Sequence, residues 1–246
     1  EKKDLGIYLY EDKDDGGGSG DGGWDGGVGA AGGVTIPCDP LLIDLNGDGI
    51  QTSSLTSGTF FDYDGNGFAE RMGWASSDDG ILVTDRNQDG IINDGSELFG
   101  DQTLLSAGKK AANGFQALAD LDSNADGKID ANDTAYSNLR IWRDSNSDGY
   151  AQESELFTLE DVGISSINLT ATAANITDAG GNTQTLSGTF TKTDGTIGEI
   201  ADYNLQSDST YSIPAAWVTI PEDIAALPDL QGYGNVYNLQ QAMAMD

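Results

Sequence analysis

The sequence predicts an α+β, loop-rich, calcium-dependent fold: a β-rich first half threaded by acidic ion loops, a paired EF-hand-like helix-loop-helix across 114–163, and a C-terminal β-hairpin. Three observations predict it. Loops of the form Asp-x-Asn/Asp-x-Asp/Asn-Gly recur five times between residues 44 and 149. The 41 acidic residues outnumber the 11 basic ones, for a net charge of −30, so compaction requires neutralising cations. Short apolar runs with strand composition lead into the first three loops, whereas Phe115, Leu118 and Leu121 share one helical face before the fourth.

Composition narrows the chemistry. Of the acids 32 are Asp, the short carboxylate favoured in metal loops, and the 34 Gly imply a fold made largely of turns. The charge excludes nucleic acid and anionic membranes as partners, since both need basic patches. With no His and one Cys, Cys38, the chain has no Ser-His-Asp or Cys-His machinery, no His-ligated zinc and no internal disulfide. No apolar run reaches transmembrane length, so membrane insertion by this stretch is not expected, and residues 1–36 lack a signal-peptide core. Secretion to the cell exterior or surface is expected to use a type I signal elsewhere, and the chain is expected to be a monomer.

Residues 1–38 read as a Gly/Asp-rich linker, extended by its own charge. The module proper spans 39–213. Pro40–Ile43, Thr59–Phe61 and Ile81–Thr84 are strand candidates, each feeding a loop. After Gly114 the helical period takes over. A short helix is expected from Ala131 to Leu139, and an exit helix through Leu156, Leu159 and Val162, ended by Gly163. Thr185–Thr193 and Thr196–Ile200 flank Asp194-Gly195, a hairpin signal. Residues 214–246, with Pro221 and Pro228, read as a surface segment or the start of another module.

In an EF-hand loop, oxygens come from positions 1, 3, 5, 7 (a carbonyl), 9 and 12, with Gly at 6. Asp144, Asn146, Asp148, the Tyr150 carbonyl, Gln152 and Glu155 match throughout. Asp122, Asn124, Asp126, the Lys128 carbonyl, Asp130 and Asp133 also match, with a shorter acid at the twelfth place. Asp85, Asn87, Asp89, the Ile91 carbonyl and Asn93 fit, but the closing acid, Glu97, is displaced by one residue. Two loops lack a closing acid: Asp44, Asn46, Asp48 and the Ile50 carbonyl meet Leu55 there, and Asp62, Asp64, Asn66 and the Phe68 carbonyl meet Gly73. These two must borrow an oxygen, with Glu70, Asp78 and Asp79 in range, or else are solvated turns.

Asp39-Pro40 precedes the first loop. The Asp carboxyl can attack its own carbonyl carbon, closing a five-membered anhydride as the Pro nitrogen leaves as a secondary amine. Composition alone supplies about 0.65 such pairs, so the dipeptide counts only by its position. A raised carboxyl, a Tyr or a cation-bound water must protonate that nitrogen, and Asp78 and Asp79 are the sequence's candidates.

Asp39–Thr52, Gly73-Trp74, Asp78–Gly80, Asn93–Asp101 and Leu139–Asp144 together resemble the self-processing module of FrpC-like RTX proteins, from about Asp39 to about Asp202. The resemblance implies calcium-induced folding and cleavage at Asp39-Pro40, with Asp39 as nucleophile and acyl donor and Pro40 as the leaving residue. It implies one turnover per chain rather than action on other substrates. It further implies capture of the anhydride by water or by a Lys on an acceptor protein, and the calcium loops around Asp122 and Asp144 as the switch. Lys2, Lys3, Lys13, Lys109, Lys110 and Lys128 are candidate acceptors by the general habit of Lys to lie at the surface. The alternative is a non-catalytic, calcium-stiffened spacer of a secreted adhesin or toxin.

Overall fold

The computed structural model describes residues 38–232 and 234–246, and most of the predicted N-terminal linker lies outside them. The described chain is predominantly antiparallel β. Its strands are β1 (Leu41–Ile43), β2 (Thr59–Phe61), β3 (Phe68–Met72), β4 (Gly80–Val83), β5 (Lys128–Asp130), β6 (Arg140–Trp142), β7 (Leu156–Thr158), β8 (Ile164–Asn168), β9 (Thr172–Thr177), β10 (Thr183–Lys192), β11 (Ile197–Asn204) and β12 (Ser207–Pro214). The α-helices are α1 (Gly114–Ala119), α2 (Glu222–Ala225) and α3 (Leu239–Ala244), none longer than six residues.

Nine strands form one sheet in the order β5-β8-β10-β11-β1-β4-β6-β7, with β9 also lying against β10. A second sheet, β12-β3-β2, packs nearby. Successive side chains of the central strands enter opposite cores, as a period of two requires. Leu41, Ile43, Leu82, Ile141 and Ile200 join Phe99, Phe115, Leu118 and Phe190 on one face. Leu42, Ile81, Val83, Trp142 and Ala201 join Phe61, Tyr63, Met72 and Trp74 on the other. Burial on both faces explains the unbroken apolar runs at 41–43 and 81–83. Trp74 and Trp142 meet edge to face at 5.2 Å, with Phe61 against both at 5.3 and 5.7 Å.

The expected α+β fold with paired EF-hand helices is corrected by these elements. Only α1 is an α-helix between 114 and 163. Ala131–Leu139, rich in Asn, Asp, Ser and Thr, makes a single 3-10 turn at Tyr136–Asn138. Here side chains take the backbone donors that a helix would use: Asp130 Oδ1 accepts from Asn132 N, and Asp133 Oδ2 from Asp130 N. The expected exit helix is a strand, because Leu156–Thr158 pairs back onto Arg140–Trp142. Leu159 and Val162 still pack into a core, but from a turn. The Asp44, Asp62 and Asp144 loops therefore join strands, the Asp85 loop leads from β4 to a 3-10 turn at Gly95–Glu97, and the Asp122 loop runs from α1 to β5.

The hairpin across Asp194-Gly195 is β10 and β11, in register from Thr191↔Ile197 to Thr183↔Asn204 with one bulge. Residues 214–246 fold back on β3: Ala215 N donates to Gly67 O, and Tyr237 stacks on Phe68 at 4.7 Å. Buried Gln241 exchanges hydrogen bonds with the Val218 backbone. No described helix is long and apolar enough to cross a membrane.

Candidate metal loops and the Asp39-Pro40 site

All five loops share one backbone. Position 4 (Gly47, Gly65, Gln88, Ala125, Ser147) and position 6 (Gly49, Gly67, Gly90, Gly127, Gly149) have positive φ, between 58° and 94°. Glycine at position 6 accepts that conformation without strain, and a side chain at position 4 implies compensation elsewhere in the loop. In each loop the position-6 amide donates to the position-1 Asp at 2.8–3.0 Å. The position-5 amide donates to the position-3 side chain at 2.9–3.1 Å. The carboxylates and amide oxygens are thereby turned inward, toward a common point.

Three loops gather carboxylate oxygens within 4.8 Å of one another: Asp62, Asp64 and Glu70; Asp85, Asp89 and Glu97; Asp144, Asp148 and Glu155. Glu70 thus supplies the oxygen that the second loop lacked, and Glu97 reaches its loop despite the displaced spacing. Asp79 feels the charges of Asp44 and Asp48 and accepts from Gln51 N at 2.8 Å, but no such carboxylate cluster joins the three among the described residues. The Asp122 loop differs. Asp133 spends both oxygens on Ser123 and Asp130 amides, and Lys128 pairs with Asp126 at 3.8 Å and closely with Asp130. Its ligand set is tied up within the chain.

Whether cations fit can be judged from unsatisfied atoms. Glu70 Oε2, Asp79 Oδ1, Asp85 Oδ1, Glu97 Oε1 and Glu155 Oε2 are buried with no hydrogen-bond partner. Each such acceptor costs about 1–3 kcal/mol, more when charged, unless something positive completes it. Burial, reinforced by neighbouring loop acids, pushes Glu70 and Glu97 up to about 7 and Asp79 up to about 6. All-oxygen cages with orphaned carboxylates fit a hard divalent cation such as calcium. Asp44/Asn46/Asp48, Asp62/Asp64/Glu70, Asp85/Asp89/Glu97 and Asp144/Asp148/Glu155 are the residues that would hold it.

The Asp39-Pro40 bond does not sit in a linker. Leu205 N donates to Cys38 O at 2.7 Å and Tyr203 N to Pro40 O at 3.1 Å, so the bond runs along β11 as an extension of β1. Asp39, 9% exposed, is held on its other side. Its Oδ1 accepts from the Asp101 amide at 2.6 Å and from the Tyr63 hydroxyl at 3.1 Å, while its own N–H donates to that hydroxyl at 3.0 Å. A Cβ on Gly100 would lie 2.8 Å from Asp39 O and 2.9 Å from its Oδ1. Carbonyl and carboxyl of Asp39 therefore crowd the same bare Cα, and only glycine fits there.

A cavity of about 360 Å³ adjoins the bond, lined by Asp39, Asp101, Ala112, Asn113, Thr185, Leu186, Asp202 and Asn204. Asp202, 1% exposed, is anchored by Gly114 N at 2.7 Å and by Thr185 Oγ1. Burial pushes Asp39 up to about 8, with the Asp202 and Asp101 charges adding to the rise and the Asp101 amide and Tyr63 opposing it. Burial pushes Asp202 up to about 6. Burial and the Asp39 and Asp101 charges raise Tyr63 well above the usual phenol range. Burial likewise raises the Cys38 thiol, keeping it neutral.

Sequence reasoning missed Tyr63, Gly100, Asp101 and Asp202. Two signals were present: Asp202 interrupts the buried run Ile200-Ala201-Asp202-Tyr203, and Tyr63 is a buried aromatic inside an otherwise solvated loop. Asp78 and Asp79 stand apart from the bond. The charges acting on Asp79 are Asp44 and Asp48, and Asp78 pairs with Arg143 at 3.8 Å.

Residues 41–206 match the family model described as the SPM domain. Over 209 residues, 84% of this chain, the sequence is 43% identical to the "Iron-regulated protein FrpA" of Neisseria meningitidis serogroup C. The chain spans about a fifth of that relative, with 19% of its length covered. The shared stretch contains the five loops, both cores and the β1–β11 pairing beside Asp39, and on this match the chain belongs to the SPM domain family.

Proposed function

We propose that the domain cleaves its own Asp39-Pro40 bond when calcium fills the acidic loops, and that the product anhydride is open to water or to a Lys amine. The observation that carries this reading is the setting of Asp39. An Asp-Pro bond buried in a sheet, with its carboxyl held up to about 8 and gripped by Asp101 N and Tyr63, is an expensive arrangement for a spacer.

The step balances within the chain. A carboxyl oxygen of Asp39 bonds to the Asp39 carbonyl carbon, giving a tetrahedral centre that collapses by breaking the bond to the Pro40 nitrogen. The products are a cyclic anhydride on Asp39 and a secondary amine on Pro40. One proton must leave the carboxyl and end on that nitrogen. Burial holds Asp39 up to about 8 and Asp202 up to about 6, so near neutrality Asp39 keeps its proton while Asp202 is charged. The chain thus holds both the nucleophile and the proton that its leaving group needs. The carbonyls at 38 and 40, fixed by β11, hold the backbone while Asp101 N and the Tyr63 hydroxyl hold the carboxyl, which is catalysis by position. Bound calcium supplies charge compensation that keeps the loops closed, as in other domains whose metal binding is folding energy.

Water returns Asp39 to a free carboxyl, and an unprotonated Lys amine attacking the same anhydride leaves an isopeptide bond. A calcium-poor cytosol followed by a calcium-rich exterior would delay cleavage until export. The test is purified chain with and without millimolar calcium. Fragments of 39 and 207 residues are expected, the 246-residue chain divided after Asp39. They should be absent in Asp39→Ala. An intact chain that nevertheless folds on calcium addition would leave the stiffened spacer as the function.

A further inference from the structure

Tyr63, which bonds both the amide and the carboxyl of Asp39, lies in the chain between Asp62 and Asp64, two of the three carboxylates of one cluster. Glu97 completes the next cluster. Within four residues of it come the Phe99 carbonyl, which accepts from Leu41 N at 3.1 Å, and the Asp101 amide on Asp39 Oδ1. The two loops are joined to each other. Asp62 and Asp94 form a parallel bridge, Gly95 N donates to Asp62 O at 3.0 Å, and a Cβ on Gly95 would lie 2.0 Å from Tyr63 O.

Each cluster also contains a buried carboxylate oxygen without a partner: Glu70 Oε2 on a side chain 2% exposed, and Glu97 Oε1 on one 0% exposed. Like charge gathered at these oxygens opposes closure of each loop, and a bound cation would offset it. Tyr63 and the 99–101 segment are the parts of the Asp39 site that follow directly in the chain from these ligands. By contrast, the Asp144 loop reaches β2, through Thr59 Oγ1 on Ser147 O at 3.0 Å and through Gly149 on Phe60 O, and the Trp74 indole, whose Nε1 donates to Asp144 Oδ2 at 2.8 Å. In the Asp122 loop, ligand groups are already paired to Lys128.

We infer that the Asp62/Asp64/Glu70 and Asp85/Asp89/Glu97 sites act as one clamp, in which bound divalent cation sets the Asp39 carboxyl in place through Tyr63 and the Gly100-Asp101 segment. The inference rests on the cleavage reading above and relocates its trigger, from the loops around Asp122 and Asp144 to these two. Glu70 and Glu97 are cation ligands; Tyr63 and Asp101 are positioning residues.

The test uses the full chain, calcium alone as ligand, and amide NMR of Asp39 and Asp101 beside terbium luminescence for the number of cations. In wild type, calcium should move both amides to hydrogen-bonded positions. Glu70→Gln and Glu97→Gln should each cost a cation, leave the Asp101 amide unshifted, and slow release of the Pro40 fragment at least tenfold. Glu155→Gln should also cost a cation but keep both amides at their loaded wild-type positions. Tyr63→Phe, which preserves the ring, should keep every cation and the near-UV circular dichroism while the Asp39 amide loses its loaded shift. The inference is overturned if Glu155→Gln erases the Asp101 shift as fully as Glu70→Gln does, or if Tyr63→Phe leaves the Asp39 amide unchanged. Intact shifts in a wild-type chain that releases no Pro40 fragment would uphold the clamp and reject the cleavage reading alone.

Discussion

Gly100 shows how little freedom surrounds Asp39. Because a Cβ there would meet Asp39 O, its Oδ1 and the Tyr63 hydroxyl at 2.6–2.9 Å, Gly100→Ala should slow cleavage about a hundredfold while cation binding stays near wild type, read by fragment release against terbium binding. The Asp39–Asp202 pair sets the pH response. Above about 8 the pair has lost the proton that Pro40 needs, and below about 6 it has no carboxylate left to accept one. The rate should therefore trace a bell between these values, and Asp202→Asn should remove one limb. Stability has its own sign. Both carboxyls are raised above the ordinary Asp value near 4, so the folded state binds protons more tightly than the unfolded chain. Their contribution is full below pH 4 and is lost as pH rises through about 8. Calcium-free chain should resist urea better at pH 5 than at pH 8, and Asp39→Asn should flatten that difference.

At the scale of elements, the loops, the strands that lead into the first three and the helix before the fourth were legible, and the elements that follow the last two were not. The position-6 glycine and the acids at 1, 3 and 5 specify a local conformation by short-range hydrogen bonds, so sequence alone located it five times. Flanking elements are chosen by long-range partners. Leu139-Arg140-Ile141-Trp142 satisfies helical spacing as well as alternation, and pairing with β4 and β7 decides for the strand. The borrowed oxygen of the second loop was within reach of sequence reasoning as Glu70. The convergence of Asp39, Asp101 and Asp202 was not, because it spans 163 residues and depends on β1 lying beside β11. That pairing rests on the aromatic core beneath it. Trp142→Ala should destabilise the calcium-loaded domain by about 3–5 kcal/mol in denaturant titration, by removing a fully buried ring that touches Phe61 and Trp74.

For the whole molecule, charge is the governing quantity. A net −30 opposes compaction, and several of the acids responsible each bury one oxygen without a partner. Chelating calcium should lower the melting temperature and weaken the near-UV signal of the Trp74–Trp142 pair. Sodium chloride should restore only part of it, since screening weakens long-range repulsion but leaves the orphaned oxygens uncompleted. Folding, cation binding and the geometry of one bond then become a single equilibrium. Its most direct test is mass spectrometry of the calcium-loaded chain over time from pH 5 to 9. A 207-residue product beginning at Pro40, appearing only with calcium and fastest between pH 6 and 8, is the predicted result; a chain that takes up calcium, folds and keeps its full mass at every pH would contradict it.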